Sequence, residues 1–138
     1  MNIFPHILSA TALLGLMTTA VQAVELPPLR DQARIDNSML QVAIAYEVSE
    51  KCDSIDARKL KGLNYLWTLR GVASDLGYSD AQIKAYVESK AEKARIRKLG
   101  EAYVASKGLD PKVSADLCTL GTQEIASQSL IGSLLRAK

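Results

Sequence analysis

The chain has 138 residues, 17 of them basic and 15 acidic, for a formal charge of +2. That length suits one domain behind an N-terminal leader and is too short for two. The near balance of charge gives no reason to expect a nucleic-acid partner.

No charged residue precedes Glu25. Residues 7–16 form a short apolar run, residues 17–21 continue it with smaller side chains, and Val21-Gln22-Ala23 offers small residues at the two positions a signal peptidase reads. This is the pattern of a secretory signal over residues 1–23, cleaved after Ala23, and it predicts a periplasmic protein. The segment before the run carries no Lys or Arg, so the alternative is an uncleaved anchor. The run falls short of the roughly 20 apolar residues a spanning helix needs, which favours cleavage. Beyond Ala23 lie both cysteines, Cys52 and Cys118. In an oxidising compartment an even, small cysteine count points to a structural bridge; the alternative is two buried free thiols.

Residues 24–35 contain Pro27-Pro28 and no helical period, and read as an extended arm, either a disordered leader or a segment lying on a partner. The remaining 36–138 read as a helical domain. Asp36-Asn37-Ser38 is a cluster of N-cap residue types. Met39, Val42, Ala43 and Tyr46 follow at helical spacing, flanked by Leu40, Ile44 and Val48, so this helix is expected to be central and to end near Lys51, with Cys52 at its end. A second helix is expected from Asp53-Ser54, with Leu60, Leu63, Leu66, Trp67, Leu69, Val72, Ala73 and Leu76 on one wide face and Gly77 as its stop. Ser79-Asp80-Ala81-Gln82 is a capping box. It opens what is predicted as the longest helix, running to about Ser106, with Gly108 as its stop and Gly100 as a bend. Asp110-Pro111 signals another start; Val113, Leu117, Cys118, Gly121 and Ile125 then share a face, which turns Cys118 inward towards the end of the first helix. Leu130, Ile131, Leu134 and Leu135 form a separate amphipathic tail, either closing the core or docking on a partner groove. No strand period is visible. The expected fold is all-α: a compact bundle of about four helices with one disulfide.

Chemistry is sparse. The single His is His6, inside the predicted signal, so the remaining chain has no Ser-His-Asp or Cys-His arrangement. There is no Cys-x-x-Cys, no zinc spacing and no phosphate-cradling glycine loop. Asp53 and Asp56 are explained by capping. No enzyme, metal, cofactor or small-molecule substrate is expected. Lys84, Lys90, Lys93, Arg95, Arg97 and Lys98 face Glu88 and Glu92 on the long helix, a basic side that is either solvated or in contact with anionic headgroups or an acidic protein surface.

The stretches "LPPLRDQARIDNSML", "LGYSDAQIKAYVESKAEKARIRKLGEAYV", "ADLCTLGTQEIA" and "SQSLIGSLLRAK" resemble, as a set, a family of small exported proteins of Gram-negative bacteria catalogued as a domain of unknown function (five-three-three-three). The paired Cys52 and Cys118 fit that family's pattern. The resemblance brings no catalytic residues. It implies an accessory subunit on the periplasmic side of the respiratory NADH–quinone oxidoreductase. The first expectation is therefore a non-catalytic structural or interaction subunit, contacting a protein partner and the membrane periphery through Pro27, Pro28, the tail and the basic side. The alternative is a soluble periplasmic acid-stress chaperone, opened by protonation of its carboxylates.

Overall fold

A computed structural model describes residues 25–138; the predicted signal peptide and Val24 lie outside them. The described chain is mostly helical, with six α-helices, one disulfide and a minor two-stranded sheet. In order these are α1 (Ala33–Lys51), β1 (Ile55–Ala57), α2 (Lys59–Asp75), α3 (Asp80–Glu88), α4 (Lys90–Ser106), α5 (Ser114–Ala126), α6 (Leu130–Ser133) and β2 (Leu135–Ala137).

The arm is not wholly extended. Pro28 fixes a φ of −53° and leads into a single 3-10 turn, Leu29–Asp31, that buries Leu29. α1 then begins at Ala33, ahead of the Asp36-Asn37-Ser38 cluster, and its N-cap residue Gln32 makes no side-chain cap. Asp36 and Ser38 are instead buried inside the helix, where Asp36 meets Arg95 and Ser38 accepts a 2.8 Å hydrogen bond from the Tyr65 hydroxyl. Tertiary partners override the capping preference of these two residues. The other end of α1 lies where the sequence puts it: Lys51 is last and Cys52 follows.

α1 is central because it serves two cores. One unites Ile44, Ala45, Val48 and Cys52 with Val104 of α4, Leu117 and Leu120 of α5, and Ile131, Leu134 and Leu135 of the tail. The other joins Ile35 to Leu29 of the arm, Leu69 and Ala73 of α2, and Tyr78. Cys52 and Cys118 form the disulfide, with their Cα atoms 5.1 Å apart, and clamp the end of α1 to α5.

Three predicted elements change. The start read at Asp110-Pro111 is a turn over Pro111 and Lys112, and α5 begins only at Ser114, after Val113. Asp53-Ser54 forms a turn, not a helix start; β1 follows it and pairs antiparallel with β2 in the register Ile55↔Ala137, Asp56↔Arg136, Ala57↔Leu135. Three-residue strands are too short to carry a legible period of two. The expected long helix is also broken. Ser89, with ψ 121°, ends α3 and starts α4, and its hydroxyl accepts from the Glu92 backbone N–H at 3.2 Å. The Ser79 capping box is present as read, and both Gly77 and Gly108 end helices with positive φ. Gly100 does not interrupt α4. It lies on the α1-facing side of α4, where a Cβ would already touch Ile44 at 3.4 Å, so its bareness lets the two helices approach.

Candidate interaction surfaces

The close approach of α1 and α4 leaves an open groove of about 440 Å³ on one side of their contact. Met39, Val42 and Tyr46 line it from α1, Ile96 and Gly100 from α4, and Val87 from α3. Tyr46 is 60% exposed and Val87 44%. The rim is charged: Glu47 stands on α1, and Lys93, Arg97 and Glu101 on α4. An apolar trough of this size with charges of both signs along its edges has the form that accepts the apolar face of an amphipathic helix.

A polar network sits at the end of the groove. Arg95 donates two hydrogen bonds to Asp36, one of 3.0 Å from Nη1, and a third from Nε to Glu92 at 2.8 Å. Arg30 of the arm donates to the other oxygen of Glu92, and the Tyr86 hydroxyl donates to Asp36 at 2.7 Å. Arm, α1, α3 and α4 are thereby tied at one point. Burial pushes the Asp36 carboxyl up, but the hydrogen bonds from Arg95 and Tyr86 and the charges of Arg95 and Arg30 outweigh it, so its pKa falls below the ordinary value. Tyr86 moves strongly upward, through burial and through its bond to the Asp36 carboxylate. Glu92 also borders a second hollow of about 740 Å³, walled by the arm, Tyr78, Gln82 and Ser89.

The structure redistributes the residues singled out from sequence. Arg95 does not belong to the free basic side: it is half-buried and pairs with Asp36 and with Glu92, which is buried rather than on the outer surface. Lys90, Lys93, Arg97 and Lys98 are exposed, as a basic side requires. The tail is core: Ile131, Leu134 and Leu135 are buried and Leu130 packs against them, so these side chains are committed within the fold and not offered to a partner. Pro27 and Pro28 are exposed, but the arm is fastened. The Tyr78 hydroxyl donates to the Pro27 carbonyl at 2.6 Å and accepts from Gln32 at 3.0 Å. Sequence reasoning missed the buried Glu124, which accepts from the hydroxyls of Tyr103 and Ser129. It also missed the groove, because Tyr46 reads as a core position on an apolar face. Among the described residues no cluster of three His, Cys, Asp or Glu side chains is placed to hold a metal ion, and no helix is long and apolar enough to cross a membrane.

These features define a small helical domain clamped by one disulfide, with an apolar groove on its surface. The chain belongs to a family described as a family of unknown function (DUF5333), which it matches over residues 27–136. No curated protein and no solved structure matches it.

Proposed function

We propose that the protein is a non-catalytic accessory subunit or interaction protein of the periplasm, seated on the outer face of a membrane complex. The complex suggested by the family resemblance is the respiratory NADH–quinone oxidoreductase. The observation that carries this reading is the α1–α4 groove, whose exposed Tyr46 and Val87 leave apolar surface in water on a fold that is otherwise stapled together. A helix of the partner fills the groove, its charged flanks meeting Glu47 on one rim and Lys93 and Arg97 on the other. The protein braces its neighbour and moves no electrons.

A native gel of gently solubilised membranes, probed for this protein, tests the proposal. Co-migration with a large complex bearing NADH dehydrogenase activity is the expected result, with loss of co-migration for a Tyr46→Glu, Val87→Glu double variant. Migration of the unaltered protein as a free species of its own size would sink it.

A second reading, an acid-stress chaperone, draws on the network that fastens the arm. Protonation of Asp36 would weaken its hold on Arg95, the tie between α1 and α4 beside the arm. The lowered pKa of Asp36 moves such loosening to a lower pH than an ordinary carboxylate would give. Acid-dependent suppression of a client protein's aggregation would favour this reading over the first.

A further inference from the structure

The apolar face expected of α2 is wide enough to wrap around much of the helix, and the fold buries only part of it. At about 100° per residue, buried Leu69 and Ala73 mark the inner face. Leu60, Leu63 and Trp67 fall within about 60° of one another, centred about 130° around the helix from those two. They are 80%, 51% and 58% exposed, so the outer face of this helix is an apolar stripe with no partner among the described residues. Its surroundings are cationic. No acidic residue occurs from 57 to 74, whereas Arg58, Lys59, Lys61 and Arg70 do. Lys59 and Arg70 flank the stripe on one side and Lys61 on the other. The Arg70 guanidinium lies 5.2 Å from the centre of the Trp67 ring while bonding to Asp80 at 2.9 Å. β2 adjoins the start of α2, since the Arg58 N–H donates to the Leu134 carbonyl at 2.7 Å, and it brings Arg136 and Lys138 to the same end, both sharing Asp56.

We infer that the outer face of α2 rests on an anionic lipid bilayer, with Leu60, Leu63 and Trp67 entering the interface and Lys59, Lys61 and Arg70 meeting lipid phosphates. The combination selects this occupant over an apolar protein surface. Long cationic side chains beside an exposed Leu/Trp stripe let the apolar groups sink to headgroup depth while the charges remain wet. A Trp whose ring is half in water and stacked under a guanidinium suits that boundary. The face is distinct from the α1–α4 groove. The inference deepens the proposed seat beside a membrane complex, and it stands without that complex, because it concerns the isolated protein and lipid.

Trp67 is the only tryptophan, so it reports on its own surroundings. Purified, oxidised protein is mixed with vesicles of phosphatidylcholine alone or with increasing phosphatidylglycerol, and Trp67 emission and co-sedimentation are followed. The expected result is a blue shift and sedimentation with phosphatidylglycerol vesicles only, both weakened by salt. A Leu60→Ser, Leu63→Ser variant keeps the helical circular dichroism, because both side chains are exposed, and binds at least tenfold more weakly; Lys59→Glu, Lys61→Glu does the same. Binding to neither vesicle, or binding untouched by both variants, overturns the inference. So does a blue shift that rises with protein concentration without lipid, which would mean that a second copy covers the stripe. Vesicle binding by a protein that joins no complex in the native gel would sink the subunit proposal and leave this one standing. Co-migration with a complex by a protein blind to vesicles would do the reverse.

Discussion

Arg95 holds two carboxylates at once, Asp36 on α1 and Glu92 on its own helix, and the arm depends on the second of them through Arg30. Arg95→Met removes the cation but leaves both carboxylates enclosed. The expected cost is on the order of 3 kcal/mol, read from urea unfolding. Because the Asp36 pKa lies below its ordinary value, this residue adds stability above the ordinary carboxylate range and loses it as the pH falls through the lowered value. Asp36→Asn should therefore flatten the acid limb of a stability-against-pH curve. At the alkaline end the sign reverses. Burial, aided by the bond to Glu124, pushes the Tyr103 phenol up to about 12. Its contribution is complete below the ordinary tyrosine range and fades as the pH rises through that value, so Tyr103→Phe should soften the alkaline loss measured by the same titration. Space is as exacting as charge. A Cβ on Gly121 would stand 2.6 Å from Ile55 Cδ1 and 2.7 Å from Val48 Cγ1, both in the main core. Gly121→Ala should cost about 1–3 kcal/mol by overpacking. Gly132→Ala should cost more, since its Cβ would meet the backbone of Glu124, which moves only with α5.

At the level of elements, the disulfide joins the end of α1 to α5 across 66 positions of the chain. Replacing both cysteines by Ala should lower stability by about 2–4 kcal/mol, seen as a reduced urea midpoint with an intact helical spectrum in water. The bridge was legible from cysteine count and expected compartment, and the facing of Cys118 from the spacing of Leu117, Gly121 and Ile125. Helix ends marked by glycine or by the Ser79 box were equally legible, because each rests on local backbone chemistry. The break at Ser89 carried the same signal: Ser89-Lys90-Ala91-Glu92 is a second Ser-x-x-Glu pattern, masked by the continuous helical period around it. The two strands left no signal, since their pairing is set by residues far apart in sequence. The candidate surfaces were the least legible. Hydrophobic spacing says that Tyr46, Leu60 and Trp67 share faces with core residues, but which of those faces meets another helix is settled only when the elements pack.

The whole molecule behaves as two cores strung on one helix. The lower half of α1 belongs to the core that holds the disulfide and the tail, and its first turns belong to the core built from the arm, α2 and Tyr78. The bridge lies wholly in the first. Leu29→Ala should cost about 2–4 kcal/mol and should act locally, raising amide exchange in α2 and α3 while α5 and α6 stay protected. Global loss of protection in that variant would show that the cores are not separable. The sheet that closes the first core has a kinetic side. β1 and β2 lie about 80 residues apart along the covalent chain, but about 20 apart by way of the bridge, and a shorter path makes their meeting less improbable by about 1 kcal/mol. The redox state of two sulfur atoms therefore sets a tempo as well as a stability: the oxidised chain is expected to refold several-fold faster than the reduced one in stopped-flow experiments.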